Sequence, residues 1–393
     1  MSTVLISGAS IAGPTLAFWL RRHGFDVTVV EKSHTLRGGG YPIDIRGTAV
    51  NVVERMGLLP RLREAHVNSQ RITFLNADGS LVTSIRPESL TRSDDRDLEV
   101  RRGDLAEILF DSVRDDVEFL FDNSIVAMND HTGGVDVTFH SGLQRTYDHV
   151  IGADGLHSAV RALTFGPEEQ FHRYIGYCFA GFTMPNHLGL AQEAVMWNEP
   201  GRAATLYAVG SGESVHGFLS FSREEPPFGA FRDPEAQRDL VASTFAGAGW
   251  EVPRLVAAMR EADDLFFDTV SQIRMPRWSS GRVALVGDAA YAPSFLTGQG
   301  SSIALVGAYV LAGHLGVAPD HTVAFEAYER ETRPFVEANQ NLVEEGNAEL
   351  FPGTAEALAA RNAALRERTT MPAGAGRPEH SALTLPEFGS LTP

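Results

Sequence analysis

Short runs of β-branched and aliphatic residues alternate with amphipathic stretches from the first residues onward. Val4-Leu5-Ile6-Ser7 reads as a strand, residues 16–20 carry an apolar helical pattern, and residues 25–30 form a second strand ending at Glu31. Apolar strands are predicted again at Val150-Ile151 and at residues 283–286, each running into a small-residue turn and a helix. Between them the period changes. Residues 71–85 alternate about Asp78-Gly79 and predict a hairpin. Residues 177–183, 194–197, 203–209 and 215–221 predict strands separated by turn clusters such as Asn198-Glu-Pro-Gly201. Helical periodicity returns over 234–262, 301–315 and 322–343, and 354–366 is a strong helix former.

The pattern predicts an α/β protein with an interleaved chain. Residues 1–70, 98–168 and 268–345 form a Rossmann-like nucleotide-binding domain, and 71–97 with 169–267 form an antiparallel-sheet substrate domain. A C-terminal helix is expected in 346–371 and a proline-rich mobile tail in 372–393. No internal repeat is visible.

Composition narrows the partners. A chain of 393 residues with 43% hydrophobic content can bury a large core, and a formal net charge of −17 argues against nucleic acid or an anionic membrane as partners. The single Cys178 excludes an internal disulfide and any CxxC redox pair, which suits a reducing cytoplasm. No basic region precedes an apolar leader, and the apolar run at 303–318, broken by His314 and glycines, reads as a buried helix. No His/Cys/Asp cluster has metal spacing, so no metal is expected.

Three segments carry the candidate chemistry. Gly8-Ala-Ser10-Ile-Ala-Gly13 opens the first helix after the first strand and is a dinucleotide fingerprint whose middle glycine is Ser10. Gly8 permits the tight turn, Gly13 allows close helix–strand packing, and Glu31 can accept from ribose hydroxyls. The backbone N–H groups of Ser10, Ile11 and Ala12 lie at the helix start, where the dipole favours a pyrophosphate. The second segment, Val150-Ile-Gly-Ala-Asp-Gly-Leu-His-Ser-Ala-Val-Arg161, places Asp154 in a turn, with N-cap as its plain reading. The third runs from Gly281 to Gly300 and sets a Gly287-Asp288 corner before a glycine-punctuated loop and a helix mouth.

Together these segments resemble the class A flavoprotein monooxygenases, the group of para-hydroxybenzoate hydroxylase and the aromatic polyketide hydroxylases. Leu98-Glu-Val-Arg-Arg-Gly-Asp-Leu105 resembles that family's arginine segment, and Gly38-Gly-Gly-Tyr-Pro-Ile-Asp-Ile-Arg46 resembles the segment after the ribose carboxylate, especially in tetracycline-inactivating members. The resemblance implies FAD as cofactor and NADPH or NADH as a transient co-substrate without a domain of its own. It implies FAD contacts from Gly8 to Gly13, from Glu31 with neighbouring Lys32, and from Arg46, Arg102 and Asp154. Asp288 would bond a ribityl hydroxyl, Pro293 would lie against the isoalloxazine, and Gly298, Gly300 and Ser301 would offer N–H groups to its pyrimidine edge. In such enzymes oxygen adds at flavin C4a, and the hydroperoxide hydroxylates a phenolic or polycyclic aromatic substrate, with molecular oxygen consumed. Tyr291, Ser294 and Ser302 depart from the family's usual His, Pro and Asn.

Substrate contacts are expected from the sheet and the flavin loop: Trp197, Arg202, Tyr207, Phe218, Phe221 and Phe295. Phe218 and Phe221 face opposite sides of one strand, so one of them is expected to reach the substrate. No catalytic acid–base set is visible, since His157, His172, His216 and His314 are spread along the chain. The tryptophan pair of flavin halogenases is absent, Trp278 standing alone. An FAD dehydrogenase or oxidase without oxygen transfer, and a ligand-sequestering flavoprotein without turnover, are the readings that remain beside hydroxylation.

Overall fold

The structure is a computed structural model and describes residues 1–36, 40–87, 96–227, 230, 233–368 and 376–389. Gly38 and Gly39 of the segment that ends at Arg46, residues 88–95, and parts of the C-terminal segment (369–375 and 390–393) lie outside the described residues.

The nucleotide sheet has six strands. From edge to edge they are Ser279–Ser280, Val283–Leu285, His149–Gly152, Thr3–Ser7, Asp26–Val30 and Glu118–Leu120, with only the first antiparallel to its neighbour. The order makes the first strand a switch point. The chain leaves it to one side for Asp26–Val30 and reaches His149–Gly152 and Val283–Leu285 on the other. Ligands of open α/β sheets bind in the crevice at such a point, beyond the carboxyl ends of the strands. Those ends here are Ser7, Val30, Gly152 and Leu285, so the three sequence motifs meet at one edge. Helices Ala12–Arg22 and Gly300–Val317 pack here; the latter is long and apolar enough to cross a bilayer, but most of it is buried in this core.

The second sheet has seven strands, in the order Phe266–Ile273, His172–Pro185, Ser214–Ser222, Arg202–Ala208, Glu193–Glu199, Arg71–Leu75 and Leu81–Ile85. The hairpin expected at 71–85 is present and joins through a parallel pairing of Arg71–Leu75 with Glu193–Glu199. Its two faces differ. Cys178, Ala180, Phe182, Trp197, Ala204, Leu206, Val215, Leu219 and Phe221 are buried against helices Pro234–Thr244 and Val252–Glu261. Residues of the alternate register, Phe179, Thr183, Met196, Thr205, Tyr207, His216 and Phe218, remain partly accessible. Period-two alternation therefore reports one covered face and one open face.

Two further sheets were not anticipated. Ile125–His131, Gly134–Phe139 and Gln144–Tyr147 form a three-stranded sheet, whose first strand is almost wholly exposed and so leaves no apolar period to read. Pro42–Ile45 pairs with Leu98–Arg101, which carries the Arg46 and Arg102 segments into contact.

The expectation of a mobile tail is corrected for residues 376–389. Leu383 and Leu385 join the main core, Thr48 Oγ1 donates to the Leu383 carbonyl at 2.6 Å, and Tyr309 donates to that of Pro386 at 2.7 Å. Proline content suggested disorder, but the prolines here separate apolar anchors that find sites on the nucleotide domain.

Candidate functional site

The fingerprint turn is closed by atoms a side chain would displace. Gly8 has φ +108°, and a Cβ on it would lie 2.4 Å from the Ala153 carbonyl oxygen. A Cβ on Gly13 would lie 1.9 Å from the Gly8 carbonyl oxygen. Ile11 precedes the Ala12–Arg22 helix, which has neither a side-chain cap nor an acidic residue in its first turn. Its leading N–H groups are thus available to an anion. Glu31 accepts from Ala9 N and Ser33 N, each at 2.9 Å, which fixes its carboxylate beside the turn. Lys32 is exposed next to it.

Across the crevice, Arg102 Nη2 donates to Ser10 Oγ at 2.8 Å. The serine in the middle of the fingerprint is therefore the anchor of the arginine from the second segment. Arg102 N also donates to the Tyr41 carbonyl at 3.1 Å. Arg46 is buried behind the loop, its Nη2 2.8 Å from Asp44 Oδ1 and its N–H donating to Ser302 Oγ at 3.1 Å. Ser302 is thus the tie between the Pro42–Ile45 strand and the helix mouth.

The Gly-Asp corner shows a free acceptor. Gly287 has φ +65°, and a Cβ there would meet the Ala12 Cβ at 3.1 Å. Asp288 is exposed to solvent, yet it sits in a protein-walled recess, so desolvation raises its carboxyl pKa against the pull of Arg102 and Arg161. Among the described residues no donor hydrogen-bonds it. The buried Arg161, which the sequence reading did not single out, braces this corner by donating to the Ala289 carbonyl at 3.0 Å.

The loop that follows is held from behind. Gln272 Nε2 donates to the Pro293 and Gln340 carbonyls at 2.9 and 2.7 Å, and Gln340 Nε2 donates to that of Tyr291 at 3.0 Å. Pro293, expected against the flavin ring, is buried in this loop, with its carbonyl held by Gln272. Tyr291 is buried and accepts from Tyr328 at 3.0 Å, its hydroxyl filling the space that Gly307 leaves open. Gly298 (φ +64°), Gly300 and Ser301 are accessible at the mouth of the Gly300–Val317 helix, which has no side-chain cap. The buried Gln299 Oε1 has no partner there.

Asp154 takes the plain role. Its carboxylate accepts from Ser158 Oγ (2.5 Å), Ala159 N (2.8 Å) and Val160 N (3.1 Å), so both oxygens cap its own helix. The histidines are less scattered than the sequence suggested. His157 bridges Glu168 (2.8 Å) and Asp268 (3.2 Å), and those hydrogen bonds, led by Asp268, raise its pKa to about 10. His172 reaches the same cluster through Thr269, with burial lowering its pKa.

The substrate candidates divide by face. Trp197 is fully buried, its indole N–H donating to the Ala77 carbonyl at 3.0 Å, and Phe221 packs on Phe245. Arg202 pairs with Glu199, donates to the Thr244 carbonyl at 2.8 Å and overlies Phe245. These three point to the helix-covered face, so the structure corrects their expected contact with substrate. Strand register decides the matter: each alternates with a residue that points the other way. Tyr207 and Phe218 lie on the open face, Phe218 edge-on to Tyr41 at 5.6 Å. Phe295 is 41% exposed and stacks edge-on to Phe179 at 4.9 Å, so the loop meets the open face of the sheet. Tyr41, Phe179 and Glu99 were missed as candidates. Tyr41 and Glu99 lay inside quoted motifs, but Phe179 had no signal beyond strand periodicity.

Two other concavities lie elsewhere. A cavity of about 200 Å³ behind the loop is lined by Met275, Trp278, Tyr291 and Gln340, and one of about 500 Å³ opens on the outer surface by Arg277 and Arg330. Neither contains Ser10, Arg102 or Asp288, so the recess between the sheets is the better candidate. Among the described residues no group of three or more His, Cys, Asp or Glu could hold a metal.

A switch-point crevice with an uncapped helix, an accessible unpartnered carboxylate and a glycine loop at a second uncapped helix fits FAD, and the fold with this site defines a class A flavin-dependent monooxygenase. Residues 1–342 match the family described as FAD binding domain, and the chain belongs to it. It is 38% identical over 338 residues to a flavin-dependent monooxygenase of an unknown prokaryotic organism, covering 86% of this chain and 87% of that protein. An uncharacterized protein of Mycobacterium tuberculosis is 44% identical over 346 residues, covering 87% and 93%. Among solved structures, tetracycline destructase Tet(51) superposes with a TM-score of 0.85 at 31% identity, covering 99% of this chain and all of that one.

Proposed function

We propose that this monooxygenase uses NAD(P)H and molecular oxygen to hydroxylate a phenolic, fused-ring small molecule of the tetracycline or aromatic polyketide type. The observation that carries the reading is the meeting of Phe295 in the glycine loop with Phe179 and, through the same sheet face, Phe218 and Tyr41. Accessible aromatic rings opposite the Asp288 corner suit a flat substrate laid beside a flavin. The likeness to a tetracycline destructase supports the same substrate class.

In this reading the fingerprint from Gly8 through Ser10, Ile11 and Ala12 to Gly13 holds the pyrophosphate on the helix N–H groups, with Arg102 neutralising charge from across the crevice. Glu31 takes the ribose, with Lys32 at the rim, and Asp288 takes a ribityl hydroxyl. Gly298, Gly300 and Ser301 present N–H groups at a positive helix end, a contribution of up to about 2 kcal/mol when partly buried. Bound FAD would accept a hydride from NAD(P)H and activate oxygen, one oxygen atom entering the aromatic ring and the other leaving as water. Phe295 and Phe179 keep water from the reacting face. The lone buried Cys178 and the supply of reduced nicotinamide suit a cytoplasmic enzyme.

The test is ligand-stimulated NAD(P)H oxidation over a panel of tetracyclines and polyketide phenols, with mass spectrometry of products. A product heavier by one oxygen, formed in step with NAD(P)H consumed, is expected. Hydrogen peroxide as the sole oxygen product with every phenol would overturn the reading in favour of an oxidase.

A further inference from the structure

One carboxylate at the junction of the two domains is not among the proposed nucleotide contacts. Glu99 lies on the Leu98–Arg101 strand directly opposite Asp44, and Asp44 Oδ2 is 3.1 Å from the place a Cβ on Gly298 would take. Tyr207, on the open face of the substrate sheet, donates to Glu99 Oε1 at 2.7 Å, and Ser69 Oγ is hydrogen-bonded to the same tyrosine oxygen. Asp44 and Glu99 together thus span the gap between the glycine loop and the aromatic face.

The two carboxylates are not equivalent. Asp44 is paired with Arg46, whereas no guanidinium or ammonium forms an ion pair with Glu99 among the described residues. The groups facing Glu99 are Asp44, Arg46, Ser69 and Tyr207, with Asp97 close to Arg46 and the His66 ring 2.9 Å from the Glu99 carbonyl oxygen. Burial and then the Asp44 charge raise the Glu99 carboxyl pKa, against the opposing pull of the Ser69 and Tyr207 hydrogen bonds and of the Arg46 charge. Burial and Glu99 also push the Tyr207 phenol well up, so Tyr207 cannot hold a negative charge itself. A proton delivered to Tyr207 must be passed on.

We propose that Glu99, acting through the Tyr207 hydroxyl, takes up the proton that a phenolic substrate loses on entering the recess. This rests on the phenol-hydroxylation reading above. The substrate O–H bond breaks as a new O–H bond forms at Tyr207 Oη, while the proton Tyr207 held passes to Glu99 Oε1. One negative charge moves from Glu99 to the substrate oxygen, and the ring becomes the more electron-rich partner for oxygen transfer. Tyr207 touches the substrate; Glu99 is a positioning residue that receives the proton behind it.

The test uses the FAD-loaded protein and alizarin, a three-ring phenol whose visible colour changes on ionisation, at a pH where the free dye is neutral. Binding is expected to turn the dye to its phenolate, with a protonated-carboxyl infrared band appearing in equal amount and no proton released to buffer. E99Q and Y207F should lose that band while keeping FAD content and thermal stability, and E99D should restore part of it. In turnover, the wild type should lose kcat/KM at low pH, whereas kcat of E99Q should fall about a hundredfold or more and its kcat/KM should lack that low-pH loss. A dye bound in the wild type as the neutral phenol, or as phenolate with its proton released to buffer, would overturn the proposal while sparing the phenol reading. Failure of wild type and both variants to bind any phenol would remove that reading and this inference with it.

Discussion

Arg102 and Ser10 stand 2.8 Å apart, a guanidinium N–H donating to the hydroxyl that occupies the centre of the fingerprint. The residues are 92 positions apart in sequence, and their contact closes the crevice between the fingerprint turn and the arginine segment. A hydrogen bond involving a charged group is worth about 1.5–3 kcal/mol. R102A should therefore weaken FAD binding by about 10- to 100-fold, and S10A, which leaves the charge in place but unanchored, by several-fold. Quenching of FAD fluorescence on titration with apoprotein measures both. An R102A protein with wild-type affinity would remove Arg102 from the proposed cofactor site.

His157 sets a pH dependence of stability. Hydrogen bonds to Asp268 and then Glu168 raise its pKa from 6.5 to about 10, so the folded state holds a proton that the unfolded chain releases near 6.5. Its contribution is complete below about pH 6.5 and declines as pH rises, being lost by about pH 10. The side chain is half-exposed, so screening keeps the effect modest. The Tm difference between wild type and H157Q should be largest near pH 6 and shrink steadily toward pH 10. A difference that grows with pH would contradict the bridge between the Asp154 segment and the Phe266–Ile273 strand.

What the sequence made legible was local. The fingerprint glycines announced themselves because Gly8 and Gly13 answer to backbone atoms a few positions away or in the adjoining turn. Alternation in residues 177–221 gave the strands, and the same alternation correctly separated Phe218 from Phe221. It did not say which side was open. That depends on helices Pro234–Thr244 and Val252–Glu261 covering one face, a long-range choice that hid Trp197, Arg202 and Phe221. Gln272 and Gln340 were invisible for the same reason: each acts on a loop carbonyl from another element, and a lone glutamine has no spacing to betray it. His157 and His172 looked dispersed because Asp268, the residue that gathers them, lies about a hundred positions on.

Ser294, which the resemblance sets against a common proline, has a backbone that proline cannot adopt. Its φ is +77° with ψ 145°, a region a non-glycine residue enters at a cost of about 1–3 kcal/mol. Proline, held near −65°, cannot adopt it. The serine hydroxyl accepts from Leu296 N at 3.4 Å, a weak local bond that offers little in return. S294G should raise the stability of the apoprotein by up to about 1 kcal/mol, since glycine reaches the same backbone without strain. S294P should lower Tm and flavin content together, because the turn that starts Phe295–Thr297 must be rebuilt. Thermal unfolding of the two variants side by side decides it. A neutral S294P would mean the loop has an alternative conformation of nearly equal energy.

The C-terminal strap gives a prediction that composition alone would not suggest. Phe388 packs against Tyr309 and His314 at 5.5 and 5.0 Å, and its ring occupies the space where a Cβ on Gly313 would lie, at 2.0 Å. Upstream, the His380 carbonyl oxygen lies 2.3 Å from a Cβ position on Gly47, a residue with φ +52° directly after Arg46. The strap therefore touches both the Gly300–Val317 helix and the turn that sets Arg46. Truncating a partly buried phenylalanine costs less than the 3–5 kcal/mol of a full core site, so F388A should lose about 2 kcal/mol. Removal of residues 377–393 should cost more and should also raise the Kd for FAD, since the Gly47 turn loses its cover. G313A offers a converse check, because a methyl there collides with the Phe388 ring and should release the strap without deleting it. Equal Tm and equal FAD affinity for wild type, F388A and the truncated chain would show that the strap contributes nothing to the site; the packing at Leu383, Leu385 and Phe388 argues for measurable loss in both altered chains.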